Sequence, residues 1–136
     1  ASPWSNLSLA AEAYIKQRPI EAARFFAQTV FHCYQVAVYF LGEIPRLDGA
    51  YIGSNSRSLA SVEEYFYRTE PFWLLHPDAQ AFFVDLLDTQ SIDLLVERKK
   101  LIAARQARQR VGGPDLSIDL SNIERRLIDH MTDKVV

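Results

Sequence analysis

The run ERRLIDH puts Arg125 and His130 near each other toward the end of the chain. An arginine stabilises charge on a phosphoryl oxygen, and a histidine titrates where proton transfer at neutral pH needs it. The pair is therefore a candidate for phosphodiester chemistry. Two further stretches carry reactive side chains, His32-Cys33 and His76-Pro77-Asp78. Helix neighbours point about 100° apart, so His32 and Cys33 share a metal poorly. With no second cysteine in the chain, the expected role of both is structural: a hydrogen-bonded histidine and a small buried apolar residue.

The R-x4-H spacing of Arg125 and His130 is similar to the motif of HEPN-type RNases, which are small α-helical bundles. In that family the Arg and His act together on the RNA phosphodiester, often across a dimer, so the resemblance implies RNA cleavage. The plainer reading is a solvated face of a last helix, on which Arg126 and His130, at i and i+4, are the closer neighbours. His76-Pro77-Asp78 resembles the HPD signature of J-domain co-chaperones, where it follows a basic helix that docks on the chaperone. Here the preceding EEYFYRTEPFWLL is acidic and cut by Pro71. A helix start, with Pro in the first turn and Asp beside it, accounts for the three residues.

Charge offers a second candidate. In VERKKLIAARQARQR, residues Arg98, Arg105 and Arg108 share one broad side of a helix, extended by Lys99, Lys100 and Arg110. Such a run can contact phosphates. Asp85, Asp88, Asp93 and Glu97 lie just upstream, which makes the region dipolar, and cations near a helix C-terminus are favoured by the dipole alone. A solvated or salt-bridged surface is the preferred reading, and nucleic acid the alternative. The third candidate is aromatic. Tyr65, Phe66, Tyr67, Phe72 and Trp73, followed in sequence by Phe82 and Phe83, cover more faces than a small helical core needs. A patch left exposed would mark a protein partner or a second copy.

No glycine-rich phosphate loop, G-x-S-x-G, H-E-x-x-H or paired Glu-x-x-His pattern occurs in the sequence. No cofactor and no metal are expected, and enzymatic activity is not the favoured reading.

These residues need elements to position them. At 136 residues, 49% apolar and 24% charged, the chain is expected to form a single α-helical domain over 1–136, one that can belong to a longer protein. Ser5 or Asn6 caps a first helix ending near Arg18. Pro19 opens a second that runs to about Leu41 as the long central apolar element, stopped by Gly42. Arg24, Gln28, His32, Gln35 and Tyr39 form one polar stripe along it, which excludes a membrane span. Glu43 to Ser58 is irregular, with a weak hairpin around Ala50–Ile52. Ser61 caps a helix that Pro71 ends, and Pro77-Asp78 starts another. Ser91 caps Ile92 to about Arg110, stopped by Gly112-Gly113-Pro114, and Ser121 with Glu124 forms a capping box for the last helix.

The expectation is an all-α bundle of five or six helices. It is read as a non-catalytic protein-protein interaction or assembly module, self-associating or docking on a larger partner. The single Cys33, the net charge of -2 and the lack of a signal-peptide pattern in ASPWSN lead to a cytoplasmic expectation.

Overall fold

The computed structural model of the protein describes residues 2–47, 59–108 and 117–136, and every element among them is helical. The first helix, α1 (Pro3–Ile15), starts earlier than Ser5: the Ser2 side chain accepts from Ser5 N, and Pro3 sits in the first turn. Its C-terminus is a Schellman turn. Arg18 N donates to Ala13 O at 2.9 Å and Gln17 N to Tyr14 O at 3.0 Å. Gln17 takes the left-handed position, φ 60°, that glycine usually fills.

Pro19 opens the second helix as expected. The long central helix does not run through to Leu41, however. Helix α2 (Pro19–His32) stops, Cys33 turns extended (φ -145°, ψ 84°), and α3 (Gln35–Leu41) continues to Gly42. The run TVFHCY consists of residues with middling helix propensity. Thr29 Oγ1 also bonds back to Phe25 O, a contact that bends helices. A straight helix from Pro19 to Leu41 would be about 35 Å long. The break instead lets α2 pack against α1 while α3 turns toward the helix that begins at Leu59. It also ends the polar stripe. Arg24 and Tyr39 are exposed and Gln28 and His32 half-buried, but Gln35 turns inward and is only 8% exposed.

The expected irregular segment contains a 3-10 turn, Pro45–Leu47, that buries Leu47. The proposed hairpin at Ala50–Ile52 and the Gly112-Gly113-Pro114 stop lie outside the described residues. Beyond them run α4 (Leu59–Arg68), α5 (Glu70–Leu75), α6 (Pro77–Leu86), α7 (Thr89–Arg108) and α8 (Ser117–Val135). The described residues thus hold more helices than the five or six expected, because the Pro19–Leu41 rod splits and Pro71 begins α5 rather than merely ending α4. Ser61 and Ser121 lie inside helices, not at their caps. Ser91 does not cap α7 either: its N–H donates to Asp88 Oδ1, so Asp88 is the capping residue.

Helix α2 is the centre, packed by α1, α3, α6 and α8. Phe26 stacks on Phe83 of α6 with centroids 4.6 Å apart. Phe40 meets Phe26, Phe66 and Trp73 edge-on. Ile123, Leu127 and Met131, at i, i+4 and i+8 on α8, close the other side. No helix among the described residues is long and apolar enough to cross a membrane.

Candidate functional site

On α8, Arg125 and His130 stand about 140° apart around the axis. They face different surroundings. Arg125 is exposed and donates to Asn122 Oδ1 at 3.2 Å. His130 faces the α6–α7 junction, where Nε2 lies 2.9 Å from both oxygens of Asp88. A carboxylate only accepts, so this nitrogen carries the hydrogen. Lys134 Nζ reaches Asp88 Oδ2 at 2.9 Å and donates to Asp85 O. Burial pushes the Asp88 carboxyl up, but the Ser91 N–H, Lys134 and His130 outweigh it and hold it well below the usual carboxylate range.

The cleft beside His130 is lined by Gln90, Asp93, Leu94, Glu97, Arg126, Asp129 and Asp133, with a volume of about 460 Å³. Its one arginine, Arg126, pairs with Glu97 at 3.0 Å. A phosphodiester entering here meets four flanking carboxylates.

The basic run on α7 is likewise divided. Arg98 lies over the Phe31 ring, 5.0 Å from its centroid. Lys99 Nζ donates to Arg46 O at 3.1 Å, tying α7 to the 3-10 turn, which Arg46 and Asp93 tie again at 2.6 Å. Arg105 is exposed, Arg108 ends the helix, and Arg110 lies outside the described residues.

His32 Nε2 donates to Glu124 Oε2 at 2.9 Å, joining α2 to α8, and Cys33 is buried. His76 immediately precedes α6, its ring packed against that of Phe72, and Asp78 accepts from the Tyr14 hydroxyl at 2.9 Å. That contact lowers Asp78 and raises Tyr14, the hydrogen bond being the leading cause for both. These three residues start a helix, as read. No group of His, Cys, Asp and Glu among the described residues is placed to hold a metal ion.

The aromatic candidates lead to a surface. Phe66 and Trp73 are buried, at 3% and 9% exposure, and Tyr65 and Phe72 are half-buried. Tyr65 stacks on Trp4 and bonds Ser8, while Trp73 Nε1 donates to Thr69 Oγ1 at 3.0 Å. Phe66 and Trp73 nonetheless line a cleft of about 420 Å³ with Tyr39, Glu63, Tyr67, Glu70, Leu74 and Gln80. Tyr67 and Leu74 are 79% and 73% exposed. The cleft thus joins α3, α4 and α5: buried rings beneath, an aromatic and an aliphatic side chain standing out in water beside them.

The aromatic cluster read from the sequence includes Phe66, Tyr67 and Trp73 and the polar stripe includes Tyr39, but Leu74 is missed and the side of the cluster that meets water is not told apart. The available signal was the i, i+4 step: Val62 and Phe66 face inward, so Glu63 and Tyr67 share the adjoining stripe. Comparison of the chain with protein-family models, with curated proteins and with solved structures gives no match in any of the three.

Proposed function

We propose that the chain is a non-catalytic helical interaction module whose contact surface is the cleft between α3, α4 and α5. The observation that supports this reading is the exposure of Tyr67 and Leu74 on one cleft. Large apolar side chains held in water beside a rigid aromatic base cost solvation, and burial against a partner recovers it. Tyr and Trp are the residue types enriched at such surfaces. Nucleic-acid work has less support. Arg98 and Lys99 are engaged within the fold, His130 is held by Asp88, and the cleft beside it is acidic.

A photo-crosslinking residue in place of Tyr67, in the native host, tests this directly. A discrete protein adduct at Tyr67, with none from the same group at Lys100, is the expected result. An adduct to the chain itself identifies self-association. Absence of any protein adduct at Tyr67, or a nucleic-acid adduct from a probe at Arg105, overturns the reading.

A further inference from the structure

Resting on that reading, we infer that the α3–α4–α5 cleft selects a cationic amphipathic helix of a partner protein. The two helices forming its rim repeat one pattern. On α4, Glu63 precedes Tyr67 by one turn; on α5, Glu70 precedes Leu74 by one turn. Each rim therefore presents a carboxylate and then a large apolar side chain, all four lining the same cleft. Neither carboxylate has an ion pair among the described residues, whereas the neighbouring Glu64 is neutralised by Arg68 at 2.7 Å. No lysine, arginine or histidine lines the cleft.

The base between the rims is fixed. Tyr39 stacks flat on Phe66, Phe66 packs against Trp73, and Thr69 holds the indole N–H. The cleft is therefore formed in advance, which lowers the ordering cost of binding. A helix laying apolar residues at i, i+3 or i+4, and i+7 between Tyr67 and Leu74 fits this geometry. Lys or Arg beside those anchors meets Glu63 and Glu70, whereas an acidic helix meets two like charges.

Selection of a displayed library of random-surface helices on the whole chain tests the inference. Enriched peptides are expected to carry a large apolar face and net positive charge. For one synthetic enriched peptide followed by fluorescence anisotropy, the double variant Glu63→Gln, Glu70→Gln should weaken binding roughly five- to ten-fold. Leu74→Asp should abolish it, with the circular dichroism of both variants unchanged. Enrichment of neutral or acidic peptides, no enrichment, or affinity indifferent to the Glu variants overturns the charge selection. In that case a protein adduct at Tyr67 still sustains the interaction module; loss of that adduct removes the module as well.

Discussion

Both oxygens of the Asp88 carboxylate lie 2.9 Å from His130 Nε2, so the histidine that sequence spacing marked for chemistry fastens α8 to the cap of α7. Asp88 also accepts from Ser91 N and from Lys134. One carboxylate thus gathers three donors from two helices.

The pH dependence follows from the depressed Asp88. A carboxyl whose folded pKa lies below its unfolded value contributes stability that is fully present above the unfolded pKa, about 3.9. That stability is lost as pH falls from there toward the folded value. Asp88→Ala also removes the α7 cap and should cost about 1–2 kcal/mol at pH 7. Urea denaturation at pH 7 and pH 3 checks this: the gap between wild type and variant should narrow on acidification. A gap that holds constant would refute the linkage.

His130→Ala should destabilise the fold by about 1.5 kcal/mol, the usual worth of a hydrogen bond to a charged group. Arg125→Ala, at an exposed position, should stay within about 0.5 kcal/mol. Thermal melts of the two variants give the comparison. Equal effects would show that the Asp88 contact contributes little.

Gln17 closes α1 with a positive φ that suits glycine. Left-handed backbone costs a non-glycine residue about 1–2 kcal/mol, and glycine gives part of that back through unfolded-state entropy. Gln17→Gly should therefore raise stability by about 0.5–1 kcal/mol, read as an increased urea midpoint at unchanged slope. A lowered midpoint would mean that the Gln17 side chain contributes more than its backbone strain.

Trp73 and Leu74 are neighbours with opposite expected behaviour. Trp73 is packed against Phe40, Phe66 and Phe83, so Trp73→Ala should cost about 3–5 kcal/mol. Leu74→Ala should change stability by less than about 0.5 kcal/mol while weakening partner association. Denaturation curves beside crosslinking yields separate the two. A large stability loss for Leu74→Ala would place it in the core and remove it from the contact surface.

Cys33 is 1% exposed at the break between α2 and α3. A thiol reagent should modify it in the native state only through local opening, and at the free-thiol rate in denaturant. Rapid native labelling would show that the break opens readily.

Helix class and most boundaries near prolines were legible in the chain because they are local. Pro19 and Pro77 start helices, and Gly42 ends one, through backbone geometry that no distant contact has to supply. Off the polar stripe of Pro19–Leu41, Phe26, Val30, Phe31 and Val36 are buried because periodicity marks the face that leaves water. Caps were less legible. Ser61, Ser91 and Ser121 suit a cap equally well by type, and the choice among serines, Asp88 and Ser2 depends on where each helix finds its neighbours.

What the sequence by itself determined is therefore an all-helical chain with an aromatic-rich interior. The tertiary structure decided the rest. It broke the Pro19–Leu41 rod at Cys33, because two short helices reach two packing partners that one straight rod cannot. It turned His130 toward Asp88 and left Arg125 in water. It sank Phe66 and Trp73 and raised Tyr67 and Leu74 above them. Helical spacing states which residues share a face, and only the packing of one helix on another states which face is covered.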